Sequence, residues 1–201
     1  MTGERTRSSR ADATRERLLV ATEQLLAERG SHGAGLNEVC VRSGVAYGSL
    51  YHQFPNGKSD LVATCVRRSG AAIGELLEAV LEQMTLAEAV AAMFANGSAT
   101  LERSAFGRGC PVGTPAATSD DDALRTAAAE VFARWRQAIA KSARREGRSA
   151  REATELASAL VSLYEGALLV ARTEQSTRPM LAAAAAAAVL VGSTAGRVAS
   201  R

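Results

Sequence analysis

An all-helical fold is predicted by three features of this chain. Alanine is abundant and runs of β-branched residues are scarce, which favours helix over sheet. Apolar residues recur at helical spacing in segment after segment. Apolar residues make up 47% of the 201 positions, enough for a sizeable core, while aromatics are only 4% and there are 4 prolines. About nine helices in one or two domains are expected at this length.

Residues 1–11 are polar and Arg-rich and are expected to be a flexible basic arm. Arg5, Arg7 and Arg10 either reach a nucleic-acid backbone or make no contact. From Thr14 to Arg29, Leu18, Ala21 and Leu25 share one helical face with Leu19, Thr22 and Leu26 beside them. Gly30 is expected to stop this helix and 31–35 to form a loop. A short helix from Leu36 to Arg42 should bury Leu36, Val39 and Cys40. Ser43-Gly44 makes a tight turn, with Gly44 in a left-handed conformation, and a second short helix covers Ala46 to Gln53. Phe54-Pro55-Asn56-Gly57 is a further turn, after which Lys58 opens a longer helix through Leu61, Val62 and Cys65.

Two short helices joined by a glycine turn and braced by a preceding helix describe a helix-turn-helix. Val45 and Leu50 plug the second helix onto the first two. Its opposite face then shows Tyr47, Gly48, Ser49, Tyr51 and His52, and is slim at Gly48. Such a face suits a major groove about 12 Å wide. Lys58 at a helix start opposes the dipole, so a phosphate contact explains it better than a solvated turn lysine does. Tyr51 lies at the rim, where an inward ring and a hydroxyl on phosphate are compatible. His52 reads as a groove contact or as an ordinary surface residue.

Beyond Lys58 the helices continue. Leu76, Leu77, Val80, Leu81 and Met84 form one amphipathic stretch, and Leu86, Val90, Met93 and Phe94 another. The segment 106–119 is rich in Gly, Pro and small residues and is expected to be a loop. Asp120, Asp121 and Asp122 open the next helix, which carries Leu124, Val131, Phe132, Trp135 and Ile139 and ends near Gly147. Ser149 caps a helix with Leu156, Leu160, Leu163, Ala167 and Val170. Thr177, ahead of Pro179, begins the last one, which holds an alanine tract. Met93, Phe94, Phe132, Trp135 and Tyr164 are the large groups available to line a ligand cavity, the other reading being plain core. Leu156, Leu160, Leu163 and Ala167, with Leu181, Ala185 and Val189, form small and apolar stripes. These stripes suit either a four-helix bundle across a two-fold axis or burial within one subunit.

Charge and cysteine usage exclude several classes. Lys+Arg 24 against Asp+Glu 21 leaves a net charge of +3 and a pI near 9.0, which permits a nucleic-acid partner without demanding one. Three cysteines and two histidines build no zinc constellation or disulfide scaffold, so no metal or cofactor is expected and a reduced, cytoplasmic setting fits. The N-terminus has no apolar h-region. The longest apolar run, Met180 to Val191, is shorter than the roughly 20 residues that span a bilayer, so no membrane partner is expected.

The stretch from Gly35 to Leu61, with its Gly-Val-x-x-Gly-x-Leu-Tyr-x-x-Phe core, resembles the DNA-binding domain of TetR-family transcriptional regulators. Phe54 to Lys58, Arg108-Gly-Cys-Pro-Val112, and Glu165-Gly-Ala-Leu168 followed by Arg172 resemble the LmrA/YxaF-like branch. The resemblance implies a helix-turn-helix domain over 12–57 and a ligand-binding and dimerisation domain over 58–201. It further implies a homodimer reading a two-fold symmetric double-stranded operator and a small hydrophobic inducer, as in regulators of drug efflux and resistance. It carries Tyr47, Ser49, Tyr51, His52, Lys58 and, more weakly, Gln53 over as DNA contacts. Three positions depart from the pattern. Gly35 and Ala46 replace the usual capping Ser or Thr, and a missing cap costs about 1 kcal/mol at the Ala position. Gln53 replaces a His.

An enzyme is disfavoured, because no nucleophile–base pair, phosphate-binding glycine loop or metal-spaced carboxylate cluster is present. Cys110 lacks a clear pKa-lowering neighbour other than Arg108, which argues against a redox sensor. A helical interaction module that has lost DNA binding stays open on the evidence of Gly35, Ala46 and Gln53.

Overall fold

The computed structural model describes residues 2–33 and 35–193, and among them are nine helices and no strand. In order they are α1 (Thr2–Gly33), α2 (Leu36–Ser43), α3 (Tyr47–Gln53), α4 (Lys58–Gln83), α5 (Leu86–Arg103), α6 (Gly113–Ala117), α7 (Asp122–Arg145), α8 (Ala150–Glu174) and α9 (Arg178–Gly192). Two compact units result. The first joins Met1–Gly70 to Pro111–Ala129, and the second joins Ala71–Cys110 to Glu130–Arg201. The expected boundary after residue 57 therefore lies inside the first unit, because the start of α4 packs with the helices before it.

In the first unit α1 buries Leu18, Leu19, Ala21, Leu25 and Leu26. Buried Thr22 is satisfied locally, its hydroxyl donating to the Leu18 carbonyl at 2.7 Å. Two expectations for α1 are corrected. Residues 2–11 are helical, not a flexible arm: no proline interrupts them, and extending an existing helix gains a hydrogen bond for each residue fixed. Gly30 does not stop the helix, which runs on to Gly33. An internal glycine costs about 1 kcal/mol relative to alanine and terminates nothing by itself.

Between α2 and α3, Gly44 adopts φ 64° and ψ 28°, and its amide donates back to the last turn of α2. This left-handed residue closes α2, as expected. Val39, Val45 and Leu50 are fully buried, whereas Leu36 and Cys40 are only half-buried. A second left-handed glycine, Gly57 at φ 65°, precedes α4. Leu61, Val62, Ala63, Cys65 and Val66 of α4 enter the core. On its flank Arg68 pairs with Glu16 and Glu23 of α1, and the Ser69 hydroxyl donates to Glu23 at 3.1 Å.

The expected loop at 106–119 contains the short helix α6, which packs on α1. Pro115 sits in its first turn, where the missing N–H costs nothing, and Val112 and Pro115 are buried. Asp121 caps α7 by accepting from the amides of Ala123 at 2.9 Å and Leu124 at 3.3 Å. A hydrogen bond from Ser59 is the largest influence holding this carboxyl below its ordinary range.

In the second unit α5 and α8 both pack on α9 and touch each other. Each of α5 and α8 opens on a capping box, Thr85 with Glu88 and Ser149 with Glu152. The Glu146 carboxylate accepts from the Leu86 amide, an otherwise orphaned donor at the start of α5. By length and composition α8 is apolar enough to cross a bilayer, yet in this fold it is a core helix burying Ala153, Leu156, Ala157, Leu160 and Ala171. Of the alanine-rich α9, only Met180, Ala183, Ala187 and Val191 are buried, one stripe about every fourth residue.

Candidate functional site

The outward face of α3 is the first place where chemistry is concentrated. Tyr47, Gly48, Ser49, Tyr51 and His52 are all exposed, while Leu50 between them is fully buried. Nothing stands within 4 Å of a methyl placed on Gly48, so this position is open. The rings of Tyr47 and Tyr51 lie 5.4 Å apart, and a hydrogen bond between their hydroxyls is the main cause of the raised Tyr47 pKa. Tyr47 therefore stays a neutral phenol at any ordinary pH. The Tyr51 ring lies over Gly57: a Cβ there would sit 3.2 Å from Tyr51 Cε1. Lys58 follows at once, half-buried at the amino end of α4. The tyrosine pair, the Gly57 turn and Lys58 are thus neighbours, although they come from two helices. The arrangement presents hydroxyls, an imidazole and an ammonium beside the positive end of a helix dipole, a set of donors suited to an anionic backbone.

Both reader helices begin without a side-chain cap, Gly35 and Ala46 holding extended backbone with no cap hydrogen bond. The far end of α3 is held by a residue that sequence reasoning missed. The Arg15 guanidinium lies 4.3 Å over the centre of the Phe54 ring, and its Nη1 donates to the Gln53 carbonyl at 3.1 Å. Gln53 is half-buried and Phe54 fully buried. A cation at the carboxyl end of α3 satisfies one terminal carbonyl and complements the dipole. The available signal was spacing: Arg15 lies three, four and seven residues before Leu18, Leu19 and Thr22, on the buried side of α1.

In the second unit the five expected ligand residues form two edge-to-face pairs and a half-buried Met93. Phe94 and Tyr164 have centroids 5.3 Å apart, and Phe132 and Trp135 5.5 Å. Trp135 is buried against α4, its Cδ1 and Nε1 3.4 Å from where a Gly74 Cβ would be. Gly97 of α5 is more crowded still: a Cβ would meet Met180 Cε at 2.6 Å and Tyr164 Oη at 2.7 Å. An open groove between α4 and α7, lined by Glu78, Leu81, Glu82, Arg134 and Lys141, holds none of the expected five.

Next to Tyr164, Glu165 is half-buried. Its Oε1 has no hydrogen-bond partner, while its carboxyl bonds the Cys110 thiol. Burial pushes this carboxyl above the usual carboxylate range. Burial likewise raises the Tyr164 phenol to about 12, with Cys110 and Glu165 adding to it. Among the described residues no cluster of His, Cys, Asp or Glu has the spacing to hold a metal.

The stripes expected at a dimer interface divide. Leu156, Leu160 and Ala167 are buried inside the chain itself, on the side of α8 that faces its own core. Leu163 is half-buried. Leu181 and Val189 of α9 are 63% and 69% exposed, Ala185 between them is exposed, and Leu169 and Val170 of α8 are exposed as well.

A three-helix reader with a polar, open recognition helix, joined to a larger helical unit, defines a DNA-binding transcriptional regulator. Comparison with known proteins places it more closely. Residues 18–65 match the family model for bacterial regulatory proteins of the tetR family, and residues 87–186 match the LmrA/YxaF-like transcriptional regulator C-terminal domain. The chain is 30% identical over 187 residues to the HTH-type transcriptional regulator YxaF of Bacillus subtilis, covering 92% of this chain and 97% of that one. It is also 30% identical to LmrA of the same organism, over 84% of this chain and 91% of that one. The crystal structure of a regulatory protein TetR from Rhodobacter sphaeroides superposes with a TM-score of 0.75 at 23% identity, over 86% of this chain and 96% of that one. The chain belongs to the TetR family of transcriptional regulators, with a C-terminal domain of the LmrA/YxaF-like type, and is a regulator rather than an enzyme.

Proposed function

We propose that the chain acts in the cytoplasm as a homodimeric repressor that reads a two-fold symmetric DNA operator and leaves it when a small hydrophobic ligand binds. The observation that carries the DNA reading is the exposed face of α3 together with Lys58 at the start of α4. Tyr47, Ser49 and His52 face base edges across an open Gly48. Tyr51, Gln53 and Lys58 hold phosphates, which fix register without reading sequence. The unpaired apolar face of Leu181, Ala185 and Val189 supports a two-fold contact, which a dimeric reader needs for paired half-sites. The aromatic pairs of the second unit support a ligand that contains rings. Electrophoretic shift on the DNA upstream of the protein's own gene tests the first claim, and release of that complex by members of a panel of hydrophobic drugs tests the second. Absence of any shift at low salt removes the repressor reading.

A further inference from the structure

A phenol has one proton to donate and lone pairs with which to accept. Tyr47 and Tyr51 stand about one turn apart on the outward face of α3, both exposed, with ring centroids 5.4 Å apart and a hydrogen bond between their hydroxyls. Only one of the two can be the donor in that bond, and what lies beyond the pair decides which. Tyr51 is the member held from behind. Its ring rests over the left-handed Gly57, where a Cβ would stand 3.2 Å from Cε1 and 3.5 Å from Oη. Lys58 follows Gly57 directly, so the Tyr51 hydroxyl is the one placed beside the proposed phosphate position. A phosphodiester oxygen accepts and cannot donate. A Tyr51 bonded to phosphate therefore directs its proton there, and its oxygen is left to accept from Tyr47. The proton of Tyr47 is then committed too, which agrees with the raised pKa that this bond gives it.

We propose that Tyr47 reads DNA as a hydrogen-bond acceptor only, its oxygen receiving an amino group on a base edge in the major groove, adenine N6 or cytosine N4, and that Tyr51 sets this polarity from the backbone. The idea rests on the DNA reading above, with Tyr51 on a phosphate and Tyr47 in the groove, and adds the chemistry of the base that is read. Guanine O6 and N7 and thymine O4 are acceptors, and would face the lone pairs of Tyr47 with no proton between them. A residue that touches only backbone thus takes part in sequence choice by fixing where its neighbour's proton points.

Selection of bound duplexes from a random-sequence library by the full-length protein gives the preferred site of the wild type, Tyr47→Phe and Tyr51→Phe. Tyr47→Phe should lose base preference at one position in each half-site, which locates the contact. Every base pair carries one major-groove amino group. At that position, replacing adenine by purine, or cytosine by 2-pyrimidinone, removes the amino group. This change is expected to weaken the wild type by about fivefold or more and Tyr47→Phe by less than about twofold, the comparison cancelling any loss of base pairing. Tyr51→Phe should bind more weakly and also shift preference at the Tyr47 position, because the released Tyr47 proton can be donated to guanine or thymine. A backbone contact without the relay would lower affinity alike for every sequence and leave that preference intact. Affinities are measured at low salt, where binding is tightest, so that weakened variants stay measurable, and circular dichroism melting checks their fold. If Tyr51→Phe enriches no sequence, the amino-group comparison of the wild type with Tyr47→Phe decides. Unaltered preference in Tyr47→Phe, indifference of the wild type to loss of the amino group, or an unaltered preference in Tyr51→Phe overturns the proposal while the DNA reading stands. Enrichment of no sequence by the wild type overturns that reading and the proposal with it.

Discussion

Lys58 and Tyr51, the two proposed phosphate contacts, differ in charge, and their removal should look different. Lys58→Ala deletes a full charge at the amino end of α4. It is expected to weaken operator binding almost equally for all sequences and to lower the slope of log affinity against log salt by about one. Tyr51→Phe keeps the ring over Gly57 and loses only the hydroxyl that bonds Tyr47, so affinity should fall with the salt slope unchanged. A slope unchanged in Lys58→Ala would remove Lys58 from the phosphate contacts. Two glycines a few residues apart provide a second contrast. Gly48 is open and helical, so Gly48→Ala should stabilise the fold by up to about 1 kcal/mol and yet impair operator binding, because the methyl enters the groove. Gly57 is left-handed and faces Tyr51, so Gly57→Ala should destabilise by about 1–2 kcal/mol, read as a lower urea midpoint.

At the scale of elements, α3 is a seven-residue helix too short to be stable by itself, and it has no side-chain cap at its amino end. Its persistence depends on Leu50 and Val45 in the core and on Arg15 at its carboxyl end. Arg15→Ala should therefore destabilise the first unit by about 1–2 kcal/mol and loosen α3, seen as faster amide exchange at Phe54, whose N–H bonds the Leu50 carbonyl. Unchanged exchange there would show that the guanidinium is incidental. The contrast with what the sequence revealed is instructive. The α2–turn–α3 unit was legible because Gly44, Val45 and Leu50 act at short range, through turn chemistry and helical spacing. Arg15 was not, since its partners lie 38 and 39 residues away. The helical start of α1 was obscured because its polarity resembles that of an arm, and α6 because Gly and Pro read as loop unless the burial of Val112 and Pro115 is known. In the second unit the aromatic residues were legible as types, but their division into two pairs and the isolation of Glu165 Oε1 depend on which helices meet.

For the whole molecule, the proposed dimer makes the outward side of α9 decisive. Leu181, Ala185 and Val189 lie four residues apart on one exposed face, and closely approaching alanine-rich helices form dry contacts. Leu181→Glu and Val189→Glu, made together, should give monomers in sedimentation at micromolar concentration without lowering helix content, because neither side chain is buried in the chain itself. A double variant that sediments as a dimer would place the two-fold contact elsewhere. Loss of the dimer should also abolish operator shifts, since one half-site supplies only part of the affinity.

The placement of the aromatic residues has an optical consequence. The chain has one tryptophan and three tyrosines. Tyr47 and Tyr51 stand in the first unit, and Trp135 lies in the second, its indole enclosed against Gly74. Light absorbed by indole alone, at the red edge near 295 nm by its ordinary spectrum, therefore interrogates the second unit and nothing else. Phenol emission draws two of its three sources from the recognition helix. The unlabelled protein thus carries one colour confined to the second unit and another drawn mostly from the first, and a titration with DNA or with a small molecule can be followed in both.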